Sequence, residues 1–249
     1  MIAYAPQMSP DDLVLAACPP IAKLGSAFYF QPETLAKGKE HGLDGFRFYM
    51  LGRGGVLGDV EAPVIASAFG YFHPALIERL WTSARQKMAP RDAGRLYLEC
   101  CRDFGRSRLS EIPNLDAFCA AADAINSAAG KAGLALYAGI SAEPLLDDLP
   151  GRAMQLITVL REFRGGAHLA AVIASGLTPQ VAHYLKRPND YAAFGWGDEP
   201  PVVTDEDRAN YESAEALTDR MVLPAYSAVD EAGADALVAG LTAIAPALA

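Results

Sequence analysis

Residues 153–175, AMQLITVLREFRGGAHLAAVIAS, are apolar almost all the way round a helical wheel. A helix that is apolar on every side is one surrounded by other helices, so this stretch predicts the central rod of a helical bundle. Three basic side chains interrupt it. Arg161, Arg164 and His168 stand at i, i+3 and i+7, and at about 100° per residue they fall within roughly 60° of one another on the helix circumference. Gly165 and Gly166 beside them each cost about 1 kcal/mol relative to alanine in a helix interior, so they need a reason. One reading makes the stripe a pocket wall. Gly165 then lets a ligand approach closely, and the cationic groups face an anionic or carbonyl-bearing small molecule. The other makes it a buried network in which Arg161 and Arg164 pair with Glu162 or with acids elsewhere, and His168 is a satisfied core imidazole.

Outward from that rod, alanine and leucine dominate, β-branched runs are scarce, and apolar residues recur at three and four spacing. The pattern predicts a mainly α fold. Helices are expected over 10–18, 20–30, 32–41, 43–53, 61–69, 74–110 with a break near Pro90, 114–130, 151–175, 178–186, 204–222 and 232–247. Their starts carry short polar caps, first-turn prolines and early acids: Ser9 before Pro10, Gln31 before Pro32, His73 before Pro74, Asn114 before Leu115, and Thr204 before Asp205. Such residues satisfy free amides and suit the helix dipole. Leu134–Tyr137 is the one stretch that reads as extended, and GWGDEPP at 195–201 reads as a loop. Linker-like segments at 138–150 and 186–203 suggest an N-terminal helical domain, 1–138, packed against a C-terminal one, 139–249.

Composition bounds the function. With 51% hydrophobic and 20% charged residues and a mean hydropathy of +0.12, the chain can bury a core and is not a disordered polymer. No run reaches the roughly 20 apolar residues needed to cross a bilayer, and the opening MIAYAPQMSPDD lacks a basic flank followed by an apolar segment. A cytoplasmic protein with reduced cysteines at 18, 100, 101 and 119 is the expectation. The formal charge is −9, unevenly spread: from Glu78 to Arg108 eight bases stand against four acids, and from Asn189 onward twelve acids against two bases. Like charge repels a polyanion, so this balance speaks against DNA as a partner.

A second motif, GFRFYMLGRGGVLG at 45–58, places Arg47, Tyr49 and Arg53 on an aromatic helix, and its Arg53-Gly54-Gly55 echoes Arg164-Gly165-Gly166. It is a poor phosphate loop, because it follows a helix, lacks the lysine, and runs into Asp59 and Glu61. No His-Glu-x-x-His, Cys-x-x-Cys or serine elbow occurs, so no metal, no cofactor and no serine nucleophile is predicted.

Together, LREFRGGAH with Arg161, Arg164 and His168, and LGRGGVLG around Arg53, make the chain similar to a large actinobacterial family usually labelled helix-turn-helix or MarR-like. The resemblance runs from YFQPE at Tyr29 to ALTDRMVLPAYSAV around Asp219. It implies an α-rich fold with a winged-helix-like C-terminal part. Phe163 stands where members usually have histidine and Gly166 where they have aspartate, and 178–211 is interrupted by KRPNDYAAFGWGDEPPVV. The winged helix implied here is therefore a degenerate one, with Lys186 and Arg187 its available cations.

Three functions stay open at this point. The first is a small-molecule-binding protein, in or beside a biosynthetic pathway, whose pocket lies between the 153–175 helix and the 45–58 element and uses Arg47, Tyr49, Arg53, Arg161, Arg164, Gly165 and His168. The second is an enzyme in the same pocket, with His168 as acid or base and Arg53 or Arg164 stabilising negative charge. The third is a transcriptional regulator coupling ligand to DNA. A homodimer is a reasonable assembly for a helical chain of this size.

Overall fold

The computed structural model describes residues 8–248. The chain runs through α1 (Pro10–Leu24), α2 (Pro32–Glu40), α3 (Gly45–Gly54), α4 (Ala62–Phe69), α5 (Pro74–Arg85), α6 (Pro90–Leu109), α7 (Leu115–Ala128), α8 (Ala135–Ile140), α9 (Leu149–Ala174), α10 (Pro179–Lys186), α11 (Asp205–Tyr226) and α12 (Glu231–Ala247). Among the described residues there is no β-strand. The fold is a mainly α multi-helix bundle. The opening stretch read for a leader lies largely outside the described residues. No described helix is long and apolar enough to cross a membrane.

Most helices begin where the sequence marks a start. Ser9 and Asp12 cap α1 reciprocally, and Thr204 and Asp207 do the same for α11. His73 Nδ1 accepts the Ala75 amide at 3.1 Å, and Asp148 Oδ1 accepts the Gly151 amide at 2.9 Å at the start of α9. Asn114 differs: it turns left-handed at φ 56° and makes no side-chain cap.

α9 is the central rod. Its Met154, Leu156, Ile157 and Leu160 have no exposed surface, because α1, α6, α7 and α11 pack around it. The main core is continuous from Leu13 to Leu248 and draws on residues either side of 138. A small satellite core of Ala171, Val172, Leu177, Ala182 and Ala214 ties the end of α9 to α10 and α11. Between α9 and α10 the chain turns through 175–178, where Gly176 adopts φ +77°, a conformation that favours glycine. The result is a helix, a four-residue turn and a second helix.

Three expectations need correction. α1 runs straight through Pro19 and Pro20 instead of breaking. Proline removes a helical N–H, yet Leu13, Val14, Ala17, Cys18, Ile21 and Leu24 form one buried face, and its docking on α9, α11 and α12 outweighs the loss. The stretch expected as a strand at Leu134–Tyr137 leads into helix α8 instead. No described strand lies beside it to complete a ladder, so a helix is how its backbone groups find partners. The 138–150 linker shrinks, since α8 reaches Ile140 and α9 starts at Leu149. After α10, residues 187–197 make two 3₁₀ turns, Pro188–Asp190 and Ala192–Phe194, that fold back as a strap on the start of α5, with the His73 amide donating to the Phe194 carbonyl at 2.9 Å.

α3 and α6 meet at Gly55, whose position faces the Pro90 backbone carbonyl and Gly94. That contact leaves no room for a side chain, and from α3 it is the Arg53 guanidinium that reaches α9, at Glu162.

Candidate functional site

A cavity of about 1030 Å³ lies between α3, α4, α9, α10 and the strap. Its walls include Tyr49 and Arg53 from α3, and the 161–173 stretch of α9 supplies Arg161, Arg164, Gly165 and His168. α10 contributes Ala182, His183 and Lys186.

At its inner end Glu162 is only 3% exposed. Its carboxylate accepts Nε and Nη2 of Arg53 at 2.8 Å each, Nη1 of Arg161 at 2.9 Å and the Tyr29 hydroxyl at 3.1 Å. Tyr29 also accepts Arg161 Nη1 at 3.1 Å, and Arg53 Nη1 donates to the Tyr49 hydroxyl at 3.0 Å. The Arg53 guanidinium lies over the Phe69 ring, 4.4 Å from its centroid. Burial would push the Glu162 carboxyl up, but Arg53 and then Arg161 hold it well below the usual carboxylate range. Two guanidinium groups therefore share one carboxylate.

Further along α9, Arg164 Nη2 donates to Glu215 at 3.1 Å and to Asp219 at 3.0 Å. Glu215 also accepts Lys186 Nζ at 3.0 Å and the Tyr211 hydroxyl at 2.9 Å. Burial would raise the Glu215 carboxyl; Lys186, His168, Tyr211 and Arg164 hold it at about 2. His168 Nδ1 lies 3.0 Å from Thr218 Oγ1. Burial lowers the His168 pKa against the opposing pull of Glu215, so the ring is neutral near pH 7.

The far end is aromatic and belongs to α10 and the strap. The rings of His183 and Phe194 stack at 4.0 Å, and Phe194 stacks on Phe72 at 3.9 Å. Trp196 donates its indole N–H to the Tyr71 carbonyl at 2.8 Å, pinning the strap.

Of the residues expected at the site, Tyr49, Arg53, Arg161, Arg164, Gly165 and His168 line this one cavity. Arg47 is not in its wall; it pairs with Asp44 and donates to Ser83 Oγ at 2.9 Å. A Cβ on Gly165 would meet nothing within 4 Å, so this glycine borders open space and no protein backbone presses on it. The cationic stripe is not bare either, because each of its arginines has a carboxylate partner. Sequence reasoning missed His183, Phe194 and Glu215 as site residues. The first two bring no charge to a run, and Glu215 sits among tail acids that read as a solvated face.

A helix, a turn and a helix closing on their own small core define a helix-turn-helix class of protein. The family model described as the helix-turn-helix family matches residues 16–196, and the chain belongs to that family. Comparison with curated proteins and with solved structures gives no match. The family corrects the expectation about partners drawn from net charge, since it points to a DNA-binding protein. A sum over the whole surface does not decide the potential at one docking face, and here the acids are concentrated beyond Asn189.

Proposed function

We propose that this protein is a ligand-responsive helix-turn-helix regulator, in which the end of α9, the turn and α10 meet DNA and the adjoining cavity holds a small molecule. One observation carries the reading: the same two helices that form the helix-turn-helix also wall the cavity, through 161–173 of α9 and through Ala182, His183 and Lys186 of α10. A ligand there touches α10, on which Gln180 and Tyr184 are half-buried, while Lys186 and Arg187 are exposed to solvent at the cavity's edge. A ligand that prefers one placement of α10 shifts the population of the DNA-competent form by its differential affinity. The volume is at the upper end of ordinary ligand pockets, which run to about 1,000 Å³.

The test is fluorescence anisotropy with a labelled pool of duplex fragments from around the protein's own coding region, at a series of salt concentrations. Binding that weakens steeply with salt, as released counterions require, supports the reading. Absence of duplex binding at low salt overturns it.

A further inference from the structure

The charges around the cavity cancel everywhere except at its inner end. Arg164 and Lys186 are met by Glu215 and Asp219, and Arg187 by Asp190 at 3.7 Å. The wall's two histidines, His168 and His183, are neutral because burial lowers their pKa. At the inner end, however, Arg53 and Arg161 share the single carboxylate of Glu162. Arg53 commits all three of its nitrogens, to Glu162 and to Tyr49. Arg161 commits Nη1 alone, to Glu162 and the Tyr29 hydroxyl, and its Nη2, unlike its sealed Nε, keeps accessible surface and no hydrogen-bond partner among the described residues. One ionised donor is left over, with no countercharge of its own.

A charge in low-dielectric surroundings is costly unless it is paired, and only 21% of the Arg161 side chain is exposed. An anion that reaches it therefore gains more than it would beside a fully hydrated cation. Space for one exists: Gly165 lies one helical turn on along the same face, and a Cβ there would meet nothing within 4 Å. A second negative group would find every other cation of the wall already taken and Glu162 close by. A carboxylate carries one charge near neutral pH, a phosphate monoester closer to two. The open side of the cavity is apolar. Phe30, Phe46, Val64 and Ile173 line it while exposing 47%, 43%, 47% and 61% of their surface, half of the eight large hydrophobic residues exposed among the described ones. Exposed apolar surface gathered at one cavity marks a binding face, and the aliphatic Val64 and Ile173 gain only from apolar cover.

We infer that the cavity takes an organic acid carrying one negative charge on an apolar body, its carboxylate paired with Arg161 and its body covering Phe30, Phe46, Val64 and Ile173. The inference rests on the cavity being the ligand chamber of the regulator.

The experiment titrates the full chain by calorimetry, without DNA, with two matched pairs of probes: 2-naphthoate and 2-naphthamide, octanoate and octanamide. Each pair differs in the charge and keeps the body. The expected result is that in at least one pair the carboxylate binds about tenfold or more tighter than its amide, that Arg161→Lys keeps this preference, and that Arg161→Gln loses it while circular dichroism shows it folded. If Arg161→Gln does not fold, Gly165→Glu and Gly165→Gln decide. The glutamate supplies the missing anion from the chain itself, so it should melt higher than the glutamine variant and no longer favour the carboxylate. No carboxylate binding up to millimolar concentration, amides bound as tightly as acids, a preference that survives in folded Arg161→Gln, or a Gly165→Glu protein that melts no higher than Gly165→Gln overturns the proposal. The DNA titration is separate: lost DNA binding with an intact carboxylate preference would sink the regulator and leave the ligand class standing.

Discussion

The carboxylate of Glu162 on α9 grips the guanidinium of Arg53 on α3 in a two-point fork, both N···O distances being 2.8 Å across 109 residues of chain. The planar fork matches carboxylate geometry, and Arg161 and Tyr29 complete the carboxylate's acceptor sites. Glu162→Ala would leave two guanidinium groups buried with no countercharge. Breaking a buried pair from one side costs about 3–5 kcal/mol, so the urea midpoint should fall markedly. A loss below about 1 kcal/mol would show that water reaches the cluster freely.

Arg164 links α9 to α11 through Glu215 and Asp219, all partly exposed at 20%, 26% and 33%. Solvent screens such pairs, so a double-mutant cycle on Arg164→Met and Glu215→Gln should return a coupling of about 1 kcal/mol. A coupling indistinguishable from zero would remove this contact from the account of how α11 is held.

Acid should weaken the fold in two stages. The folded-state pKa values of His168 and His183 are lowered by burial. The unfolded chain therefore takes up protons first, near the ordinary value of about 6.5, and stability falls as pH drops through that point. Glu162 and Glu215 are depressed carboxylates. Their contribution is complete above about 4.3 and is lost as pH falls toward their folded-state values. Urea midpoints at pH 8, 6 and 3 should decline in that order; a midpoint that rises from pH 8 to pH 6 would contradict the burial of neutral imidazoles, and one unchanged from pH 6 to pH 3 would contradict the depressed carboxylates.

Two glycines should respond oppositely to alanine. At Gly55 the new methyl runs into the Pro90 carbonyl, and forcing α3 from α6 costs about 1–3 kcal/mol or more. At Gly165 it meets nothing, and the gain in helix propensity is up to about 1 kcal/mol. Thermal melts of the two variants should move in opposite directions.

On DNA, Arg187→Ala and Lys186→Ala should each weaken binding uniformly across sequences and reduce the slope of log affinity against log salt by about 1. An unchanged slope in both would relocate the phosphate contacts away from α10.

The rod, α9, was legible because apolarity on every side has one structural meaning, and the break before α6 was legible because Pro90 opens a helix well. Pro19 and Pro20 misled, since local chemistry forbids what a buried face with distant partners enforces. The site shows the same divide. Arg53, Arg161, Arg164 and His168 could be picked out as charges in apolar settings, but their partners could not. Asp219 and Glu215 look like solvated acids until the bundle closes, and only the fold brings Tyr71 and His183 from α5's approach and from α10 to one chamber.

Of the chain's two tryptophans, Trp81 has no exposed surface and donates to the Val60 carbonyl at 2.9 Å, whereas Trp196 fastens the strap to Tyr71. The molecule thus carries a pair of intrinsic optical gauges at different depths. Emission from a Trp81→Phe protein follows the strap alone, so peeling of that one segment becomes visible without an attached dye while the interior stays shut.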